Sequence, residues 1–350
     1  MSHPPSKAPH SICLLRLSAL GDVMHMVPIV RTLQATWPDC QITWVIGKLE
    51  AELVKNLEGV RLVVFDKSQG WRAYLDLRRA LKGEHFDLLL HMQAALRASL
   101  VSLMIRSDLR LGFDRARGKD LQWLFTNKQI PAHPGQHVLD SFFSFLESLG
   151  IQDRQLRWDL PIDPAAQMYA KNQLRDQRTL IINPAASFAY RNWFADRYAA
   201  VADYAFTRYG LKTVLTGGAA EIEKQLGRDI EAATSCPVTN LIGSTSLQEL
   251  LALISQADLV IAPDTGPAHM ATAVGTPVIG LYAATNPLRA APYLNQRDVA
   301  GAYETAVLNA YGKPSDQLPW GTRVRDQQAM KLVTVDQVKQ QLDGIMIRLS

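Results

Sequence analysis

Cysteine is scarce in this sequence. Cys13, Cys40 and Cys236 are the three in 350 residues, an odd number with no Cys-x-x-Cys spacing. Thiols so few and so scattered support neither a disulfide framework nor a structural zinc site, and they fit a reducing compartment. Long hydrophobic runs are missing as well. None approaches the roughly 18 apolar residues that a membrane-spanning helix needs. The first ten residues, MSHPPSKAPH, lack the apolar core of a signal peptide and read as a loose tail. A large charge excess is absent too. The 37 Lys and Arg stand against 33 Asp and Glu, leaving +4. That is too little to argue for nucleic acid, although local basic patches stay open.

What is present is a globular composition, 47% hydrophobic and 20% charged, in a chain too long for one small core. The expectation is a cytoplasmic protein of two domains. Short apolar runs alternate with amphipathic segments. Strands are predicted at 12–17, 42–46, 62–66, 87–92 and 110–113, with helices at 26–37, 71–82 and 94–105. Several of the strand runs are apolar throughout, as expected of strands buried on both faces of a parallel sheet. A polar stretch at 153–167, with Pro161 and Pro164, reads as a linker. The rhythm then restarts. Strands are predicted at 179–183, 211–216, 238–242, 259–262 and 277–282, helices at 196–209, 220–233, 246–256 and 267–274, and a last helix at 333–348. The fold class predicted is therefore α/β, with two Rossmann-like, doubly wound domains over 11–160 and 170–330, and a closing helix in 331–350. Ligands of such sheets bind outside the carboxyl ends of the strands, so two domains facing each other would make a cleft.

Three segments stand at such ends. The first is Leu17-Ser18-Ala19-Leu20-Gly21-Asp22-Val23-Met24-His25. Gly21 permits a tight turn and places Asp22 near a helix N-terminus. Asp22 is then either an N-cap or a general base that takes the proton of an attacking hydroxyl. The Gly-x-Gly-x-x-Gly fingerprint of dinucleotide binding is missing here. The second, from Asn183 to Trp193, carries Ser187 and one cation, Arg191. A guanidinium there suits a diphosphate; equally, it could be a surface arginine stacked on Trp193. The third is Pro263-Asp264-Thr265-Gly266-Pro267-Ala268-His269-Met270. The backbone N–H groups of Thr265 and Gly266, with the helix N-terminus, make an anion site. Asp264 would repel that anion and suits sugar hydroxyls or an N-cap instead. His269 is either a packed core residue or a site residue. The spacing from Asp264 to His269 supplies too few ligands for a metal.

Together these segments resemble the bacterial lipopolysaccharide heptosyltransferases of glycosyltransferase family 9. Gly21-Asp22-Val23-x-His25 is similar to the loop after that family's first strand, and Asp264-Thr265-Gly266-x-x-His269 to its Asp-Thr-Gly-x-x-His signature. The likeness runs from Ile12 to about Arg289. A weaker match is His91-Met92-Gln93 with Arg97, where the family often shows Asp-x-Gln; His91 departs from it and carries no role over.

The resemblance implies a GT-B fold, with the acceptor on the first domain and the nucleotide-sugar on the second. It implies inverting transfer of L-glycero-D-manno-heptose from ADP-heptose to the Kdo or phospho-Kdo of lipid A, without metal or other cofactor. By position Asp22 is the implied base. Arg191 stands for a phosphate-binding Lys, Thr265 and Gly266 for the diphosphate turn, and Asp264 for the donor-sugar contact. Ser187 and His269 fall in the implied donor site. Glu221, after Gly217-Gly218, resembles a ribose carboxylate, and Thr245 lies near an adenine contact. Ser18 and His25 fall on the acceptor side. A metal-free reaction is chemically coherent, since Arg191 and backbone N–H groups could neutralise the departing ADP. Closure of the cleft would belong to catalysis.

Charge points to the acceptor. Arg97, Arg106, Arg110, Arg115, Arg117 and Lys119 concentrate near the end of the first domain. Arg97, Arg115 and Arg117 are candidates to hold an anionic acceptor of the Kdo-lipid A type, with Arg115 and Arg117 the better placed because their loop follows the fifth strand. The cluster could also give peripheral contact with the inner face of the inner membrane, or be a solvated positive face. Two rival readings remain: a nucleotide-sugar epimerase or other GT-B transferase with a different donor, and a non-catalytic nucleotide-sugar-binding protein in which Asp22 only caps a helix.

Overall fold

The computed structural model describes residues 8–175 and 177–349, and the chain divides into two compact units between Pro161 and Ile162. The first unit runs β1 (Ser11–Leu15), α1 (Leu20–Thr36), β2 (Gln41–Gly47), α2 (Lys48–Val54), β3 (Val60–Phe65), α3 (Arg72–Ala80), β4 (Phe86–His91), α4 (Leu96–Ser102), β5 (Ser107–Gly112), β6 (Lys128–Gln129) and α5 (Val138–Glu147). The second runs α6 (Pro164–Leu174), β7 (Thr179–Ile182), α7 (Ala195–Tyr209), β8 (Lys212–Leu215), α8 (Glu221–Ala233), β9 (Val238–Asn240), α9 (Leu247–Gln256), β10 (Leu259–Pro263), α10 (Gly266–Val274), β11 (Val278–Tyr282), α11 (Pro287–Ala290), β12 (Val299–Gly301), α12 (Tyr303–Tyr311) and α13 (Val335–Leu349).

Each unit holds one six-stranded parallel sheet, and both are wound alike. The orders are β3-β2-β1-β4-β5-β6 and β9-β8-β7-β10-β11-β12. In each the first strand of the unit pairs with the second on one side and the fourth on the other. The order reverses there, so each sheet has a switch point, β1/β4 in one and β7/β10 in the other, where a crevice opens at the carboxyl ends. The central strands are covered on both faces. Every residue of β7, β10 and β11 is buried, which is why these runs read as continuously apolar rather than alternating. Local chemistry sets the helix ends. Ser246 and Glu249 form a capping box at the start of α9, and α10 stops where Gly275 takes φ +79°, a conformation costly for any residue with a Cβ.

The structure moves several sequence boundaries. Helix α1 begins at Leu20, not residue 26, because Gly21 lies inside its first turn rather than in a loop. The stretch read as a linker at 153–167 contains the start of α6, with Pro164 in its first turn. Strands β6 and β12, with two and three residues, are too short to leave a periodic signal. The first seven residues of the expected tail, and Ser350, the last residue of the expected closing segment, lie outside the described residues. Of the tail's last residues, His10 is tied down, its N–H donating to the Asp87 carboxylate at 2.7 Å. No helix among the described residues is long and apolar enough to cross a membrane.

Candidate active site

In the first unit the chain leaves β1 at the switch point, and Arg16 organises the turn that leads into α1. Its Nη1 donates to the Met92 carbonyl just beyond β4 at 2.5 Å. Its Nη2 donates to Asp22 Oδ2, forming an ion pair. The guanidinium also lies 5.1 Å from the centre of the Phe142 ring on α5. Asp22 stands in the first turn of α1, whose N-cap position is Ala19, so Asp22 is not the cap. Its side chain keeps 29% exposure against 11% for that of Arg16. One carboxylate edge is therefore anchored and the group still reaches solvent. Gln93 fixes the intervening loop. Its Oε1 accepts from the Leu17 N–H at 2.7 Å, and its Nε2 donates to Ser18 Oγ at 3.1 Å.

The other residues expected on the acceptor side separate. His25 is buried, with its ring edge-on to His137 at 5.4 Å. Arg97 is exposed on α4. Arg115 is exposed and lies over the Trp123 ring at 4.6 Å. Arg117 corrects the sequence reading, since its guanidinium is taken up within the fold. Nε pairs with Asp114, Nη1 donates to Gln136 Oε1 at 2.6 Å, and Nη2 to the Pro131 carbonyl at 2.7 Å. Arg110 is likewise internal, donating to the carbonyls of Ser102, Ile105 and Phe125 at 2.8–2.9 Å.

At the β4 end, buried His91 accepts at Nδ1 from Gln122 Nε2, 3.0 Å away. Burial, with the positive charges of Arg110 and Arg16, lowers its pKa to about 3. The ring is therefore neutral at ordinary pH.

In the second unit the loop after β7 is shaped by Asn192, whose Oδ1 accepts from the Ala186 N–H at 2.8 Å. A 3₁₀ turn, Ala189–Arg191, then delivers Arg191 to the switch point. Nη1 donates to the Asp264 carbonyl at 3.1 Å and lies 3.2 Å from Asp264 Oδ2. Arg191 is covered by the stacked rings of Phe188 and Tyr190, at 5.2 and 5.7 Å, and not by Trp193. Trp193 is buried, with its indole N–H on the Val333 carbonyl, and the cation over it is Arg197. Thr265 occupies the N-cap position of α10. Asp264 is thus no cap, and its carboxylate turns to Arg191. The helix N-terminus at Thr265 and Gly266, with Arg191 beside it, is a cationic corner suited to a diphosphate. Ser187 is exposed on the same loop, and His269 is buried one turn into α10.

Glu221 is turned outward. It pairs with Arg228 at 2.7 Å, which holds its carboxyl below the usual range. Glu223 is the carboxylate closed on the glycine turn, accepting from the Gly218 N–H at 2.6 Å. Thr245, half-buried, lies in the loop between β9 and α9. The structure thus gathers Arg16, Ser18, Asp22 and Gln93 at one switch point, and Arg191, Asp264, Thr265 and Gly266 at the other. Sequence reading missed Arg16, Glu223 and the Phe188–Tyr190 pair. A cation directly after a buried strand and six residues before Asp22 was the available signal for the first. Among the described residues no three His, Cys, Asp or Glu side chains converge as a metal site would require.

Two Rossmann-like units, each with polar groups collected at its switch point, define a nucleotide-sugar transferase architecture of the GT-B type. The family model described as Glycosyltransferase family 9 (heptosyltransferase) matches residues 74–316. The chain is 40% identical over 335 residues to the lipopolysaccharide core heptosyltransferase OpsX of Haemophilus influenzae, covering 95% of this chain and 96% of that protein. Among solved structures, the glycosyl transferase family 9 protein of Veillonella parvula superposes with a TM-score of 0.83 at 20% identity, over 99% of this chain and 100% of that one. E. coli ADP-heptose lps heptosyltransferase II gives 0.73 at 19% identity, over 97% and 99%. The chain belongs to glycosyltransferase family 9 and is an enzyme of the heptosyltransferase class. That membership sets aside the non-catalytic reading.

Proposed function

We propose that this enzyme transfers L-glycero-D-manno-heptose from ADP-heptose to the Kdo, or phospho-Kdo, of lipid A in lipopolysaccharide core synthesis, with inversion and without a metal ion. The observation that carries the reading is the anchored, solvent-reaching carboxylate of Asp22 at the β1/β4 switch point. The lipopolysaccharide acceptor and ADP-heptose donor in the names of the similar proteins support the choice of substrates.

The reaction draws on the base of the first unit and the diphosphate site of the second. Asp22 accepts the proton of the acceptor hydroxyl as its oxygen attacks the anomeric carbon. Arg16 holds Asp22 from one side, so that position rather than basic strength makes the contribution. The bond to the diphosphate breaks on the opposite face. The charge that develops on ADP is met by Arg191 and by the N–H groups at the start of α10. Asp264, fixed by Arg191, faces the donor sugar. The cationic corner stands where a divalent ion would otherwise neutralise the leaving group.

The deciding experiment is ADP release from ADP-heptose with and without Kdo-lipid A at low free divalent metal. Acceptor-dependent, metal-independent release is expected. Release that ignores the acceptor, or that needs magnesium, would sink the mechanism, and preference for a UDP-linked donor would change the substrate.

A further inference from the structure

A second feature of the first unit is unrelated to the switch point. Helix α4 and the following 3₁₀ turn, Gln122–Phe125, are clamped side by side at both ends. The Asp120 carboxylate accepts from the Leu96 N–H at 3.0 Å. At the other end Arg110 bridges the Ser102 and Ile105 carbonyls to that of Phe125. On α4, Leu96, Leu100 and Leu103 recur at a spacing of four and three residues, which is one face of a helix. On the turn stand Leu121, Trp123 and Leu124. All six are 36–59% exposed. Water thus faces six large apolar side chains held on a rigid frame, which is costly unless something covers them.

The border of this patch is cationic. Arg97, Arg106, Arg115 and Lys119 are exposed around it, with Arg115 lying over Trp123. Of the acidic groups nearby, Asp114 is paired with Arg117 and Asp120 accepts from the Leu96 N–H, while Asp108 lies 3.3 Å from the His85 ring. Aliphatic residues and one tryptophan ringed by Arg and Lys match the two layers of an anionic bilayer surface. Headgroup charge meets the rim, and the acyl boundary takes the apolar centre.

We infer that the face formed by α4 and the Leu121–Leu124 turn docks on an anionic lipid surface. It goes beyond the proposed reaction and does not depend on it. The two are read separately, because vesicle binding needs neither donor nor acceptor.

The test is co-sedimentation of the full chain with vesicles of phosphatidylcholine alone and of phosphatidylcholine with about a third phosphatidylglycerol. The wild-type chain should pellet with the anionic vesicles and stay in solution with the neutral ones. Its tryptophan emission should shift to the blue on binding, and Trp123→Phe should remove that shift. Leu103→Gln with Leu124→Gln should weaken the vesicle affinity about tenfold or more, while ADP release with a water-soluble, deacylated acceptor stays at the wild-type rate. Equal binding to both vesicle types, or anionic binding unchanged by the double substitution, would overturn the inference. So would a dimer on gel filtration that the same double substitution dissolves, which would make a second copy the occupant.

Discussion

Arg191 and Asp264 lie in the segments that follow the two strands flanking the second switch point, and the guanidinium of one lies 3.2 Å from the carboxylate of the other. Each is nearly enclosed, at 11% and 14% side-chain exposure. The pair does two things at once. It turns Asp264 away from the helix N-terminus and sets a guanidinium beside it, where the proposed reaction would meet its leaving diphosphate. Arg191→Ala should lower kcat by roughly 100- to 1000-fold, the scale of deleting one donor to a developing anion. It should also cost about 1–3 kcal/mol by leaving Asp264 unpaired. Arg191→Lys should fall between, because an ammonium cannot serve the Asp264 carbonyl, the carboxylate and a phosphate in one plane. Steady-state kinetics with urea unfolding checks both; a wild-type kcat for the alanine variant would remove Arg191 from the reaction.

Asp22→Asn separates base from cap. Ala19 holds the N-cap position of α1, so the asparagine costs the helix no cap, and its amide oxygen can still accept from Arg16. The melting temperature should fall only modestly, through the lost charge pairing. Transfer should fall by about 10²–10⁴-fold, with ADP-heptose affinity kept. Calorimetry against turnover decides the point. A large drop in melting temperature with residual turnover would assign Asp22 to structure.

His91 makes the first unit sensitive to acid. Its folded pKa of about 3 lies below the ordinary 6.5, so between those values the unfolded chain binds more protons than the folded one. Stability from this group is full above pH 6.5, falls as the pH drops, and is exhausted near pH 3. Between pH 7 and 5 the loss is about 2 kcal/mol. Urea unfolding of the wild-type and His91→Gln chains at the two pH values should show the wild-type chain losing that much more. Parallel losses would mean that the imidazole titrates normally.

Arg115 and Arg117 should part company. Arg117→Ala removes the charge partner of Asp114, whose side chain is 8% exposed and keeps only the backbone N–H groups of residues 116 and 117, and should cost about 1–3 kcal/mol. Arg115→Ala, at the surface, should change stability by less than about 0.5 kcal/mol and raise the KM for an anionic acceptor. Thermal melts and acceptor titrations distinguish them, and the reverse pattern would restore Arg117 to the acceptor site.

The reason for this split also marks what could be read from sequence. The all-apolar strands and the turns after them were legible because parallel strands buried on both faces leave an unbroken hydrophobic signature, and that placed Asp22, Arg191 and Asp264 at strand ends. Side-chain partners were not legible. Arg16 reaches Asp22 only because the chain reverses between them, and Gln122 meets His91 across 31 residues, separations that no local period encodes. The basic cluster read from charge was real as composition and mixed in role. Arg110 and Arg117 serve carbonyls and carboxylates of the fold, whereas Arg97 and Arg115 face outward. Glu221 stands nearer the glycine pair in sequence, yet the side chain that folds back on the turn belongs to Glu223.

The shared strand order of the two sheets has a consequence for biosynthesis. Because β1 must find β4, pairing Ile12 with Leu88, and β7 must find β10, pairing Leu180 with Leu259, the centre of each sheet closes only after long intervening stretches have been made. Such non-local pairing is slow. Yet every partner of the first sheet precedes the break at Pro161. On a ribosome adding roughly 5–20 residues per second, the stretch between the end of β6 at Gln129 and the start of β7 at Thr179 takes about two to ten seconds to make. The first unit therefore has a head start in which to close its sheet before any competing parallel strand appears.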